Sequence, residues 1–180
     1  MNLFAFSGSP TPGSTIGQLL RAAVALAPSS LRVSVFEENL GLPLFDPALT
    51  GPGLPVPPAV AALHQCLAAA DAVLFATPEY AYGVPGSFKN ALDWLVAAGS
   101  LYGKPTGALG ASPSAEGGAR ALASLLSTLE ALGAAVLPAA TLAVPFIRTR
   151  LGVAGGHPAD PVLTEELQTV VMTLVRQLQE

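Results

Sequence analysis

Short apolar runs alternate with helix-periodic stripes along the chain, and that alternation restricts the fold more than any other feature. Leu3 to Phe6 is apolar and followed by Gly8, which reads as a buried strand. Behind a capping Ser14 or Thr15, Ile16, Leu19, Leu20, Ala23 and Leu26 recur at helical spacing. Leu31 to Phe36 reads as a second strand, and residues 37 to 57 as a long loop rich in proline and glycine. Val60, Leu63 and Leu67 mark a helix before a strand at Ala72 to Ala76, and Phe88, Leu92 and Leu95 mark a helix after it, entered at about Ser87. Thr106 to Ala111 is a fourth strand. Leu122, Leu125, Leu126, Leu129 and Leu132 then stripe a helix that stops at Gly133. Ala134 to Val144 supplies a fifth strand, interrupted near Pro138, and a last helix runs from about Thr164 with Leu167, Val170, Val171, Leu174 and Leu178 on one face. Five strand–helix units without an interdomain linker predict one domain over residues 1–180, a doubly wound parallel sheet in the order 2-1-3-4-5.

Composition narrows the function. At 51% hydrophobic and 11% charged residues the chain can build a sizeable core, and it is apolar enough to suggest self-association. A net charge of −4, with Lys89 and Lys104 the only lysines, argues against a nucleic-acid partner, which needs a basic face. No apolar run reaches the roughly 18 residues of a membrane span. A single cysteine, Cys66, and no basic segment ahead of Leu3 predict a cytoplasmic protein.

Ligands of open α/β sheets bind beyond the C-terminal ends of the strands, and three of the loops there are chemically suggestive. The first is Ser7-Gly8-Ser9-Pro10-Thr11-Pro12-Gly13-Ser14-Thr15, with five hydroxyls and two glycines ahead of a helix. Free amides and the positive end of the helix dipole favour a phosphate there; the same residues also make an ordinary capped turn. The loop is neither a Walker loop nor a GxGxxG fingerprint. The second is Thr77-Pro78-Glu79-Tyr80-Ala81-Tyr82-Gly83-Val84-Pro85, which brings two aromatic rings and several amides to a strand end, an arrangement for gripping a flat, polar-edged ring. The third runs from Ser112 through Gly117 and Gly118, where glycine permits close approach or positive φ; alone it reads as a surface loop. In the expected order the three adjoin one another at the switch point and form one groove, a shape suited to FMN.

These loops resemble those of the NADPH-dependent FMN reductases, a flavodoxin-like family that includes quinone, azo-dye and chromate reductases. The likeness runs from the N-terminus to about Pro138. It rests on Thr77-Pro78-Glu79-Tyr80 continued by Pro85 and Lys89-Asn90-Ala91-Leu92-Asp93-Trp94, and on Gly110-Ala111-Ser112 with Gly117-Gly118-Ala119-Arg120. It implies a flavodoxin-like sheet, FMN as cofactor, NADPH as co-substrate, and a small-molecule acceptor (FMN, quinone, azo compound or metal oxyanion) served in ping-pong fashion. It also implies a homodimer or homotetramer with flavin sites near the subunit boundary. Carried over residue by residue, it implies the FMN phosphate on Ser9, Ser14 and Thr15, and the isoalloxazine against Pro78, Glu79, Tyr80 and Tyr82. Ser112, Gly117 and Gly118 then lie near the other edge or the ribityl chain. No side chain is catalytic under this reading, because flavin N5 carries the chemistry.

Three candidate positions depart from the family's usual residues. Thr11 stands where an arginine is usual, and Ile16 and Ala81 stand where asparagine is usual. The missing arginine removes a charge-assisted phosphate contact. The hydroxyl-rich pattern Ser9-x-Thr11-x-Gly13-Ser14 also resembles the phosphate loop of flavodoxins, which hold FMN without a cation. Two other classes are compatible with the sequence, a flavodoxin-type electron carrier and a cofactor-poor binding module. The remaining polar residues have plain readings: His64 structural, His157 an exposed loop residue, Cys66 a small core residue, and none with metal-ligand spacing. Trp94 anchors its helix, Lys89 and Asp93 pair on a helix surface, and the Glu79 carboxylate turns toward a subunit interface.

Overall fold

The computed structural model describes residues 1–36, 39–51, 53–152 and 158–179. Five strands, β1 (Asn2–Ser7), β2 (Arg32–Phe36), β3 (Ala72–Pro78), β4 (Pro105–Ala111) and β5 (Ala135–Val144), pair in parallel in the order β2-β1-β3-β4-β5. This is the flavodoxin-like order expected from the sequence. Among the described residues six α-helices, α1 (Thr15–Ala25), α2 (Pro58–Ala68), α3 (Gly86–Trp94), α4 (Ala119–Ala131), α5 (Ile147–Leu151) and α6 (Pro161–Gln177), cover the two faces. Among the described residues no helix is long and apolar enough to cross a membrane.

The central strands are apolar on both sides because both sides are covered. Along β1 and β3 the side chains alternate between two cores. Leu3, Ala5, Leu74 and Ala76 join α1, α5 and α6, whereas Phe4, Phe6, Val73 and Phe75 join α2, α3 and α4. The second core is aromatic: Phe6 packs against Phe36, Phe75 and Phe88 with ring centroids 4.8, 5.8 and 5.1 Å away. A Cβ at Gly8 would collide with the Phe88 ring, so a residue without a side chain is required where α3 crosses the end of β1.

Most sequence expectations hold to within a few residues. Ser14 caps α1, and Gly133, at φ 72°, follows α4. Pairing between β4 and β5 shifts register between Thr106 and Ala108, opposite the stretch that contains Pro138. Trp94 is buried, donates its indole N–H to the Pro43 carbonyl (2.9 Å) and meets Phe45 edge-on. His64 Nε2 lies 3.0 Å from the Trp94 carbonyl, Cys66 packs half-buried against the aromatic core, and Lys89 pairs with Asp93. The last helix starts earlier than its apolar stripe, because Pro161 occupies its first turn and Asp160 caps it by accepting from the Val162 amide. The short helix α5 has no counterpart in the sequence reading, and His157 lies outside the described residues.

Candidate functional site

The C-terminal ends of β1, β3 and β4 bring their loops to one cleft of about 310 Å³, within the roughly 300–1,000 Å³ typical of small-molecule sites. The first wall begins where the Gly8 amide donates to the Ala76 carbonyl (2.7 Å), which holds the departing loop against β3. Ser9 is buried, and its Oγ accepts from the Thr11 amide at 3.4 Å. Ser14 Oγ accepts from the Gly17 amide (3.1 Å), a local N-cap. The amides of Thr15 and Ile16 lie in the first turn of α1, ahead of the reach of intrahelical carbonyls. Ser9, Thr11, Ser14, Thr15 and Ile16 all line the cleft. This end therefore offers hydroxyls and amides at the positive end of a helix dipole, the donor set of an anion site.

The second wall is the turn after β3. Tyr80 and Gly83 exchange both backbone hydrogen bonds at 2.9 Å, and the two residues between them, Ala81 and Tyr82, sit at φ 49° and 63°. Consecutive positive φ is the signature of a type I′ turn, normally built from Asn and Gly, so Ala and Tyr there store strain. Two contacts hold the turn from outside. Glu79 Oε2 accepts from the amides of Arg120 and Ala121, both at 3.0 Å, and so caps α4 from a distant segment. The Arg120 guanidinium lies 4.0 Å from the centroid of the Tyr82 ring. The Glu79 carboxylate, expected at a subunit interface, is thus engaged within the chain. Gly118, the residue before α4, carries no side chain to cap the helix, and Glu79 supplies that oxygen.

The third wall is the loop after β4. Ser112 Oγ lies 2.8 Å from Ser114 Oγ and accepts from the Ser114 amide at 3.2 Å. Gly117 and Gly118 have φ of 62° and 77°. A Cβ on Gly117 would come within 2.6 Å of the Pro145 nitrogen, and one on Gly118 within 2.9 Å of the Ala111 nitrogen. Both glycines are demanded by close approach to the sheet's own backbone. They do not line the cleft; nor do Ala81 and Tyr82, whereas Pro78, Glu79, Tyr80 and Ser112 do.

Sequence reasoning missed a fourth wall. Ala111, Pro113, Ile147 and Arg148 also line the cleft, the last two from α5. The amides of Phe146 and Ile147 donate to the carbonyls of Ser114 and Ser112 (3.2 Å each), tying the start of α5 to the β4 loop. At its other end Arg150 bonds Asp160 (2.5 Å) and Glu166 (2.8 Å). Burial lowers the Arg150 pKa, but these two partners outweigh it and hold it raised, while the Arg150 hydrogen bond holds the Asp160 carboxyl below the usual range. The one available signal for this wall was a basic residue shortly after the fifth strand, at the end of the sheet where the other loops gather.

Comparison with known proteins agrees with this geometry. Residues 1–149 match the family described as NADPH-dependent FMN reductase. The chain is similar to an NAD(P)H-dependent FMN reductase of Pseudomonas aeruginosa, 37% identical over 131 residues that make up 72% of this chain and 69% of the relative. It is equally similar to a quinone reductase of Escherichia coli K12, 37% identical over 133 residues, 72% of this chain and 70% of that one. Among solved structures it resembles FerB, a flavoenzyme NAD(P)H:(acceptor) oxidoreductase of Paracoccus denitrificans, with a TM-score of 0.86 and 27% identity over 99% of this chain and 97% of that one. The extent of the match along the chain and a cleft assembled at the switch point lead to one conclusion: the chain belongs to the NADPH-dependent FMN reductase family.

Proposed function

We propose that this protein is an FMN-dependent NAD(P)H oxidoreductase that passes reducing equivalents from NADPH to a small acceptor of the quinone type. The observation that carries the reading is the composition of the cleft, with hydroxyls and first-turn amides at one end and Pro78 and the half-exposed Tyr80 ring at the other. That distribution fits the residues to FMN: an anion-binding end for its phosphate and a flat, partly apolar end for its ring. Bound there, FMN supplies hydride acceptance and donation at N5. The chain's own part is positioning. Ser9, Thr11, Ser14, Thr15 and Ile16 would serve the phosphate end, and Pro78, Glu79, Tyr80, Ala81, Tyr82 and Ser112 the ring and ribityl chain. Ala81 and Tyr82 act from beside the cleft by fixing the turn, and Gly117 and Gly118 act by letting the β4 loop lie against β4 and β5. Tyr80 stands half-exposed in the cleft wall, so nicotinamide and acceptor would use that end in turn, which would give ping-pong kinetics.

The test is direct. Protein reconstituted with FMN and mixed anaerobically with NADPH should lose its oxidised flavin absorbance, and a quinone should restore it over repeated cycles. FMN binding without reduction by either nicotinamide would overturn the reductase reading in favour of a one-electron carrier. The same reading carries a homodimer or homotetramer, supported by Tyr80, Tyr82, Val96, Tyr102 and Phe146 standing exposed. Light scattering at micromolar concentration checks it, and a monomer of 18.1 kDa would overturn it.

A further inference from the structure

The phosphate end of the cleft has a gap in its chemistry. Residues 7 to 15 contain no lysine or arginine, so the loop offers an anion only neutral hydroxyls and amides. Of the two charged residues that line the cleft among the described residues, Glu79 has its carboxylate committed to the α4 amides, and the other is Arg148. The Arg148 side chain is exposed and makes no hydrogen bond or ion pair with any described residue. Its neighbour two positions on behaves oppositely, since Arg150 is spent on Asp160 and Glu166.

The helix that carries Arg148 is fixed at both ends. Phe146, at φ 50°, turns the chain sharply out of β5, and the Phe146 and Ile147 amides lock onto Ser114 and Ser112. Ile147 and Leu151 are buried in the same core as Ile16 and Leu19, so α5 lies against α1, the helix whose first turn forms the phosphate end. The backbone that carries Arg148 is thus fixed, and its guanidinium, without a partner among the described residues, lines the same cleft as a neutral anion-binding turn. Arginine suits phosphate because its fork of donors matches the oxygens.

Building on the FMN reading above, we infer that Arg148 is the cation for the FMN phosphate, supplied from α5 rather than from the β1 loop. The site would then discriminate FMN from riboflavin through charge as well as through the loop's hydroxyls. A charge-assisted contact at an exposed position corresponds to about a tenfold change in affinity.

The experiment measures dissociation constants of FMN and riboflavin for the wild-type protein, Arg148→Gln, and Arg148→Gln with Thr11→Arg, each at low and high salt. Arg148→Gln should weaken FMN about tenfold and leave riboflavin unchanged, and it should flatten the salt dependence of FMN binding. Adding Thr11→Arg, which returns a cation from the loop side, should restore much of the loss. Unchanged FMN affinity in Arg148→Gln, with a wild-type protein that still prefers FMN to riboflavin, would overturn the inference while leaving the reductase reading intact. Equal weakening of FMN and riboflavin would also overturn it, because the arginine would then serve the ring. A raised KM for NADPH with unchanged FMN affinity would overturn it by assigning Arg148 to the dinucleotide. A wild-type protein that binds neither flavin would overturn both the inference and the reading it rests on.

Discussion

The loop after β1 reaches its shape with local means, whereas the turn after β3 is held from outside. In the first, Ser14 caps the helix three residues ahead, Ser9 accepts from Thr11, and the one positive φ falls on Gly13. In the second, two non-glycine residues occupy the left-handed region, and the turn is held by Glu79 and Tyr82 reaching Arg120 and Ala121 some forty residues away. A turn that stores strain persists only where its surroundings over-determine it. The contrast therefore separates a loop that shapes itself from a turn that depends on its neighbours.

Four predictions sharpen or break this contrast. The largest effect is expected at the β1 loop, where replacing Ser9 and Ser14 together by Ala should weaken FMN binding by ~1–3 kcal/mol, taking ~0.5–1.5 per hydrogen bond. Titration well below the melting temperature checks it, since loss of the Ser14 cap also costs stability. FMN affinity unchanged in the double variant would place the phosphate elsewhere.

Glu79→Ala comes next. It leaves the Arg120 and Ala121 amides without their acceptor, at a cost of ~1–2 kcal/mol, the upper part of the range for lost helix caps because two amides are involved. For a chain of this size that is a fall of roughly 2–8 °C in melting temperature, with Glu79→Gln falling less because its amide oxygen can still accept. If the two variants melt together, the carboxylate is not what holds the turn.

Relief of strain should act in the opposite direction. Ala81→Gly should stabilise the protein by about 1 kcal/mol, because an L-residue in the left-handed region costs roughly that much, and Ala81→Asn should give part of the gain. Chemical denaturation checks both, and a destabilised Ala81→Gly would show that the turn is not strained. Tyr82→Ala removes the guanidinium–ring contact and should have the smallest effect on stability, ~0.5–1 kcal/mol. A double-mutant cycle with Arg120→Ala isolates that contact; a coupling near zero would leave Glu79 as the only latch.

Much of the architecture was legible before any coordinate because burial imposes a period on the sequence. A strand covered on both faces must be apolar throughout, as 72–76 is, and a helix on a sheet must carry a stripe, as Leu122, Leu125 and Leu129 do. The cleft's first wall was legible for the same local reason, since a hydroxyl-rich turn followed by a helix places its own amides. The start of α6 was misplaced because Asp160 and Pro161 open it before its stripe begins. The five residues of α5 are too few to display a period at all.

Sequence by itself determined the five strands, their order, the capped, hydroxyl-rich turn after the first strand and the family to which the chain belongs. Only the tertiary structure decided what Glu79, Gly117, Gly118 and Arg148 touch. Glu79 caps a helix that starts forty residues later, the glycines make room for the ends of β4 and β5, and Arg148 reaches the cleft from beyond the last strand. The physical reason is that propensity and periodicity report each residue's own burial. A hydrogen bond or a steric limit between distant segments depends on how the sheet brings their backbones together.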